Sequence, residues 1–589
     1  MRRRPLTWLG ALTLAFAFRL AYGLASIFWT EDERQTYLIG LRSFARGEWP
    51  FFGGDVVWSG SQLPGALQGL LVRLPLEVWN APEAPFVCLN LLSFAALALL
   101  AWYTTRRVPE VPEWIVWSAL LTLPWTLNFS THIVNTSYIL PGAVVFFVGF
   151  FEASPTFRIG ALPFSLAWLA MGAGLLFLVQ IHMSWVLLPA YALFAAADLW
   201  RHSPKALWPA AAAFVVGAAC TGLTLVPTLS RYGITAGGVE QTVLFLPQGP
   251  GMLLTILARF LSFPSLETNR FLGLDTAERL MFLWRQPWVL PFAALATIVG
   301  VIQPVAMVVA WFRRSDGAAR WVRIRWLVVA SVCGTYASFF FSVRGPLAHT
   351  FYVLFPVAAV YAAYVWRAFA VSSHGVHGSN RWYTAWGPRI AAASLVSGLF
   401  MHAGLAIDRA PRRSLYLDRP LVDAAITTPN DRFLGDRRDS LIEAQDRTAR
   451  PLDPVADRGA YNNATAAADL RLVRADWRPL LGNRVSRFVV SISNAGKTAA
   501  YVDIRYEAEY VGEDGVLLAR REGVIKEILQ PGSSRTWQEL TNGMVPEGAV
   551  GATLGLIGAE KCIPVRTPPR LSVKEAARFE TDARGLHRL

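Results

Sequence analysis

Three consecutive carboxylates, Glu31, Asp32 and Glu33, follow the first long apolar stretch of the chain. Their mutual repulsion favours a proton on at least one of them unless a cation or a hydrogen-bond donor compensates. A carboxylate in this position can take a proton from a hydroxyl within hydrogen-bonding reach, which is general-base chemistry. The simpler alternative is a solvated cap at a helix end. Tyr37 and the amphipathic stretch after it favour the chemical interpretation.

Other polar residues interrupt the apolar sequence at the ends of predicted helices, on the same side as the carboxylates. As candidates for binding a substrate we select Tyr37 together with His132, Asn135, Gln180, His182, Arg344 and His349. An arginine suits an anion such as a phosphate, and a second group of candidates for such a contact is Arg259, Arg270, Arg279 and Arg285. The four cysteines form no CxxC pair, and we assign no metal-binding residue.

The composition defines the class of protein that holds these residues. Of the 589 residues, 54% are hydrophobic and 16% are charged, whereas about a quarter of a soluble domain is charged. Apolar runs long enough to span a membrane, about 20 residues, recur about eleven times. They lie near 6–29, 84–104, 114–131, 137–152, 161–180, 183–199, 206–229, 287–312, 326–343, 347–366 and 390–407. The sequence therefore predicts a polytopic α-helical membrane protein.

The distribution of basic residues predicts the orientation. Lys and Arg are roughly threefold denser in the loops on the side of the N-terminus, which the positive-inside rule places in the cytoplasm. The net charge of +14 therefore reports topology rather than nucleic-acid binding. Two long loops, 30–83 and 230–286, then lie outside, in the first of which residues 64–79 predict a helix along the membrane surface. A cleaved signal peptide ending near Ala25 is an alternative for the first helix and leaves Asp32 outside as well.

The C-terminal third has a different pattern. Residues 408–465 form a polar linker, and a two-residue period begins near 466, most clearly in YVDIRYEAEY (501–510). Such alternation is typical of half-buried antiparallel strands. Short strands with turns between them predict an outer β-sandwich over 466–570, with a weak similarity to Ig-like bacterial envelope domains, and a polar tail over 571–589.

Residues 1–407 also resemble a known group of enzymes. A first helix with a late arginine, a DE-x3-Y motif, a G-x-W-P turn and a membrane-surface helix are similar to the GT-C glycosyltransferases, especially the protein O-mannosyltransferase and aminoarabinose-transferase branch. The matching residues are Arg19, Asp32, Glu33, Tyr37, Gly47, Trp49 and Pro50.

The resemblance implies a polyprenyl-phosphate sugar donor and transfer, with inversion, to an acceptor hydroxyl on the outer face of the membrane. It implies that Asp32 is the general base or orients the acceptor, with Glu33 as its neighbour, and that Arg344 contacts the phosphate. The acceptor is a glycan, a lipid or a protein. We expect the multi-pass chain to lie in the inner membrane of the cell.

Two departures from the family pattern concern the phosphate and a metal. Where many relatives carry a Lys-Pro-Pro segment this chain has SQLPG, with Gln62 and no lysine. Its second outer loop, NFSTHIVNTSY, offers His132 and Asn135 but no carboxylate. These departures leave open both the phosphate contact and the requirement for a divalent metal. Two other functions stay open: a transporter or flippase of lipid-linked glycans, and a non-catalytic envelope scaffold.

Arg19 raises a separate question. A charged side chain at mid-bilayer costs roughly 2.5–3.5 kcal/mol. We expect it to extend towards the outer interface or to pair with Asp32 or Glu33.

Overall fold

The computed structural model describes residues 4–26, 36–37, 39–41, 43–44, 47, 49–56, 61–233, 245, 247–263, 271–273, 276–312, 318–342, 348–371, 381–411, 463–479, 485–496, 500–525, 529 and 532–562. The α-helices of these residues are α1 Arg4–Ala25, α2 Leu67–Val78, α3 Ala84–Arg107, α4 Glu113–Thr122, α5 Pro124–Asn128, α6 Ile139–Ala153, α7 Phe164–Val179, α8 Leu188–His202, α9 Leu207–Gly222, α10 Val226–Tyr232, α11 Pro250–Ser262, α12 Thr276–Arg285, α13 Leu290–Trp311, α14 Ala318–Ser338, α15 Phe355–Val371, α16 Arg381–Arg409 and α17 Asn463–Asp469. Short 3₁₀ helices occupy Asn135–Tyr138, Met183–Leu187, Pro204–Ala206, Leu223–Leu225, Pro287–Val289, Phe339–Phe341 and Ala348–Leu354.

The membrane class is confirmed. Within the described part of the chain, nine helical segments are long and apolar enough to cross a membrane: Trp8–Ala25, Ala84–Arg107, Asn135–Ala153, Met183–His202, Pro204–Tyr232, Pro287–Trp311, Ala319–Phe341, Phe351–Ala370 and Trp386–Arg409. The other two predicted spans, 114–131 and 161–180, are occupied by shorter helices, α4 with α5 and α7. The predicted surface helix is present as α2.

The helices differ in how much of their surface other helices cover. In the segment Asn135–Ala153, which is the central helix of the bundle, 94% of the residues in the most apolar stretch are buried. In Pro204–Tyr232 the corresponding share is 17%. Exposed apolar side chains such as Trp208 and Leu223 cover the second segment, as expected for a helix that faces lipid. α7 and α9 pack so closely that a Cβ at Gly217 would lie 1.9 Å from the carbonyl oxygen of Leu169.

The predicted span 114–131 is wrong as one continuous helix. α4 ends at Thr122 and α5 begins at Pro124, because the residue before a proline avoids helical geometry and Leu123 is extended at ψ 140. The break leaves carbonyl oxygens without their helical partners. The Thr126 hydroxyl donates to the Leu120 oxygen at 3.0 Å, and Arg19 Nη1 donates to the Leu121 oxygen at 2.8 Å.

Arg19 thus stabilises this break. It is fully buried, and its Nη2 also donates to Ser130 Oγ at 2.5 Å and to the Thr126 oxygen at 3.4 Å. Pairing with Asp32 or Glu33 lies outside the described residues.

The C-terminal strands form a β-sandwich. The strands are β3 Leu470–Trp477, β4 Val485–Asn494, β5 Ala500–Val511, β6 Leu517–Ile525, β7 Ser534–Met544 and β8 Gly551–Cys562, after a small hairpin of β1 Phe52–Val56 and β2 Ser61–Pro64 in the first loop. Two antiparallel sheets, β3-β4-β7 and β6-β5-β8, share one core. Ile504, Tyr506, Ala508 and Tyr510 are buried in it, in agreement with the alternation of the sequence.

Candidate functional site

The C-terminal end of α1 packs against the turn that follows α5. A Cβ at Gly23 would lie 2.4 Å from the Thr131 oxygen, so only a glycine allows this approach. Ser26 Oγ lies 2.8 Å from His132 Nε2 and also donates to the Tyr22 oxygen at 2.6 Å. The last described residue before the carboxylates is therefore held directly by His132.

A partly buried chain of hydrogen bonds extends from α1 through α5 to α16. The Tyr22 hydroxyl donates to Asn128 Oδ1 at 2.8 Å, and Asn128 Nδ2 lies 2.9 Å from His402 Nε2. His402 Nδ1 lies 2.7 Å from the Gly398 oxygen. Since that nitrogen must be the donor, Nε2 accepts from the asparagine amide. Both histidine rings also form T-shaped contacts with the Tyr22 ring. The ring centroids lie 5.4 Å apart for His132 and 5.1 Å apart for His402.

His132 is held in its neutral form. Burial, with the nearby positive charge of Arg409 as a smaller cause, lowers the pKa of His132 to about 4. Its Nδ1 lies 3.2 Å from the Asn128 oxygen. A histidine with a pKa this low is a weak base near pH 7, so it suits a hydrogen-bonding role better than that of a general base.

His182 lies on a separate turn, between α7 and α8. Its Nδ1 accepts from the backbone N–H of Ser184 at 3.1 Å, which caps the 3₁₀ helix that begins at Met183. Burial lowers the pKa of His182 to about 4.

Acid is expected to destabilise the protein through these two histidines. The unfolded chain protonates them near pH 6.5 and the folded chain near pH 4, so the unfolded state binds more protons in that window and stability falls as the pH falls through it. Between pH 6.5 and 5 the loss is about 2 kcal/mol for buried His132, and less for half-buried His182. The apparent Tm in detergent at pH 7, 6 and 5 measures it. The double variant His132→Gln/His182→Gln should lose less on acidification, and an equal loss would exclude these histidines as the cause.

The first loop is a packed unit rather than a free segment. The Tyr37 hydroxyl donates to the Pro82 oxygen at 3.2 Å, and its fully buried ring contacts Phe86. Gln68 of α2 accepts from the Gly54 N–H at 2.7 Å and donates to Thr36 Oγ1 at 3.1 Å. The hydrogen bonds of Thr36 and Tyr37 fix the chain shortly after the carboxylates.

Gln180 lies where the first loop packs against the helical bundle. Its Oε1 accepts from the Thr224 hydroxyl at 2.9 Å, and its Nε2 donates to the Thr221 oxygen at 2.9 Å. Gly65, at φ 111, lies against it, since a Cβ there would be 2.4 Å from Gln180 Oε1. The amide of Gln180 is thus bonded to the end of α9 and to the 3₁₀ helix after it, and it lies against the first loop at Gly65.

The structure describes only some of the remaining predicted site residues. Asn135 lies on the same turn as His132, at the start of the 3₁₀ helix Asn135–Tyr138. Asp32, Glu33 and Arg344 lie outside the described residues, and so does the side chain of His349, whose backbone belongs to the 3₁₀ helix Ala348–Leu354. Within the described ranges, no three His, Cys, Asp or Glu side chains form a group able to hold a metal ion.

Sequence reasoning missed Tyr22, Ser26, Asn128 and His402. The available signal was a histidine within an otherwise apolar run, since polar residues in spans commonly have a structural or functional partner. The partner of His402 is Asn128 in α5, which is 274 residues away in sequence.

The contact between Asp408 and Arg285 closes the same end of the bundle. Arg285 Nε donates to Asp408 Oδ1 at 2.7 Å, and Arg409 donates to the Phe271 oxygen at 2.6 Å. The hydrogen bond to Asp408 raises the pKa of Arg285. Arg285, predicted as a phosphate contact, is thus paired with a carboxylate in this structure.

No protein-family model matches the chain, and no curated protein matches it. The solved structures that show a likeness include the crystal structure of ArnT from Cupriavidus metallidurans bound to undecaprenyl phosphate and the cryo-EM structure of arabinosyltransferase EmbB from Mycobacterium smegmatis. ArnT is 12% identical, with 72% of this chain and 78% of that chain covered and a TM-score of 0.40. EmbB is 13% identical, with 98% and 66% covered and a TM-score of 0.39.

EmbB is an arabinosyltransferase. Identities and TM-scores this low do not assign an activity to this chain. We therefore base its function on its own residues.

Proposed function

We propose that this protein is an integral-membrane glycosyltransferase that moves a sugar from a polyprenyl-phosphate donor to an acceptor hydroxyl, with Asp32 as the general base. The observation that supports it is the rigid attachment of the C-terminal end of α1. Ser26 is bonded to His132, and Tyr22 is bonded through Asn128 to His402. A general base needs such positioning, because a displacement of about 1 Å lowers a rate strongly.

The chemistry requires a base on one side of the sugar and an anion-stabilising group on the other. The acceptor oxygen bonds to the anomeric carbon as the bond from that carbon to the phosphate oxygen breaks. The acceptor proton goes to Asp32, and polyprenyl phosphate leaves with the electron pair. Glu33 tunes the charge beside Asp32, and Arg344 is the proposed contact of the leaving phosphate. This single displacement inverts the anomeric configuration.

We place this chemistry on the outer face of the cell's inner membrane. The basic loops on the side of the N-terminus support a cytoplasmic N-terminus and an outer site. Because the multi-pass helices cross the membrane, the protein lies in the same layer as the lipid part of the donor. The β-sandwich would then lie outside and contact the acceptor or a partner.

A transporter is less well supported. In the described spans, the buried charged side chains other than Arg19 all lie within five residues of a helix end: Arg107, Glu152, Asp198, Asp408 and Arg409. Arg107 and Glu152 both bond to Tyr103, at 2.8 and 2.9 Å. A charged path at mid-bilayer would need residues between these ends.

Mass spectrometry of lipids that co-purify with the protein tests the proposal. We expect a polyprenyl-phosphate sugar in the detergent extract and, on adding it to protein in nanodiscs, release of polyprenyl phosphate when an acceptor is supplied. Transport of the intact lipid-linked sugar into proteoliposomes, without release of the phosphate, would contradict an enzyme.

A further inference from the structure

Buried polar atoms without partners are concentrated at the turn that begins α6. Asn135 Oδ1, Ser137 Oγ and the Tyr138 hydroxyl all have no hydrogen-bond partner among the described residues. Ser137 and Tyr138 are fully buried. Three such atoms within four consecutive residues are unusual, because most buried side-chain polar atoms are hydrogen-bonded.

Asn90 of α3 adds a fourth atom beside this turn. Its Nδ2 donates to the Phe86 oxygen at 2.9 Å and to the Thr131 oxygen at 3.3 Å, which holds the side chain against the second loop. Its Oδ1 has no partner in the described part of the chain, and the residue is fully buried. α3 contacts the 3₁₀ helix Asn135–Tyr138 as well as α6.

The four groups define the chemistry of what they can bind. Two are neutral amide oxygens that accept, and two are hydroxyls that donate and accept. A phosphate would need cationic donors, and a hydrocarbon would leave all four atoms unsatisfied. The set suits the hydroxyl groups of a sugar, and its turn also carries His132, which contacts the end of α1.

We propose that Asn90, Asn135, Ser137 and Tyr138 form a site for the ring hydroxyls of the donor sugar. This rests on the proposed function and adds the residues that recognise the sugar. The amide oxygens accept hydrogen bonds from sugar hydroxyls, and Ser137 and Tyr138 exchange hydrogen bonds with the remaining ones. Bound water is the competing occupant, since water also satisfies buried polar groups.

Binding measurements on the full chain in nanodiscs test the site. The probes are undecaprenyl phosphate alone and undecaprenyl phosphate carrying glucose, mannose, arabinose or 4-amino-4-deoxyarabinose. The ratio of the Kd of undecaprenyl phosphate to the Kd of the same lipid carrying a sugar isolates the contribution of the sugar. We expect Ser137→Ala and Tyr138→Phe each to lower that ratio about three- to tenfold for the preferred sugar, with the Kd of undecaprenyl phosphate unchanged.

Tyr364→Phe is the matched control. The Tyr364 hydroxyl is also buried without a partner among the described residues, but its ring stacks on Trp321 elsewhere in the bundle. Its removal should leave both Kd values unchanged. The apparent Tm without ligand should also stay unchanged in Ser137→Ala and Tyr138→Phe, because neither hydroxyl has a hydrogen-bond partner in the described part of the chain.

Each other result overturns the site. Unchanged ratios would show that water fills it, and an equal loss of both lipids, or a lower Tm, would show a structural role. No gain from any of the four sugars in the unmodified protein would exclude sugar recognition here. Failure of the proposed function is a different result, since the protein would then not bind undecaprenyl phosphate at all.

Discussion

Replacing Asp32 with asparagine is expected to lower the rate of sugar transfer by roughly 10²–10⁴-fold, the usual contribution of a general base. The amide has nearly the same shape as the carboxylate, but it cannot take the proton of the acceptor hydroxyl. Binding of the lipid-linked donor and insertion into the membrane should persist, because the helices that hold this end of α1 are unchanged. Release of polyprenyl phosphate from radiolabelled donor measures the rate.

Two neighbouring carboxylates provide controls for this variant. Glu33→Gln should reduce the rate less than Asp32→Asn, and Glu31→Gln should leave it nearly unchanged. All three variants remove one negative charge, so an equal effect of the three would indicate general electrostatics. Full activity of Asp32→Asn would remove the proposed mechanism.

Replacing Asn128 with leucine is expected to destabilise the protein by about 2–5 kcal/mol, since each buried group left without its partner costs about 1–3 kcal/mol. The Tyr22 hydroxyl loses its acceptor and His402 Nε2 loses its donor. Because α1 then loses its connection to α16, we also expect transfer to fall by about 10²-fold through misplacement of the base. The apparent Tm in detergent and the transfer rate measure the two effects.

A second substitution separates the lost contact from general damage. Tyr22→Phe/Asn128→Leu should cost less than the sum of the two single variants, since phenylalanine has no hydroxyl to leave unpaired. Asn80→Leu, at an exposed position between α2 and α3, should change neither quantity. Additive losses would mean that the chain through Asn128 does not couple α1 to α16.

Regular elements could be predicted from the sequence because their periods are local. Apolar runs marked the spans, and alternation over 501–510 marked β5, whose residues Ile504 and Tyr510 are fully buried. The break at Pro124 was missed, although the proline was visible. Continuous hydropathy concealed it, and the break is stabilised by Arg19, whose bond to Leu121 spans 102 residues.

The site was harder to predict because its partners are distant in sequence. Tyr22 meets Asn128 across 106 residues, and no periodicity links them. Gln180 was expected to bind a substrate, but which groups surround an amide depends on helix packing, and in the structure these are Thr221 and Thr224. Asp32 was selected by its charge and by the resemblance, and its role stays a prediction.

The accessibility of position 32 tests the central proposal most directly. The measurement places a single cysteine there, Asp32→Cys, after the native residues Cys88, Cys220, Cys333 and Cys562 have been replaced by serine. A membrane-impermeant maleimide is then applied to intact cells. We expect labelling without permeabilisation, and protection from it when undecaprenyl-phosphate sugar is present. Labelling only after the membrane is opened would place position 32 in the cytoplasm and contradict the proposed enzyme.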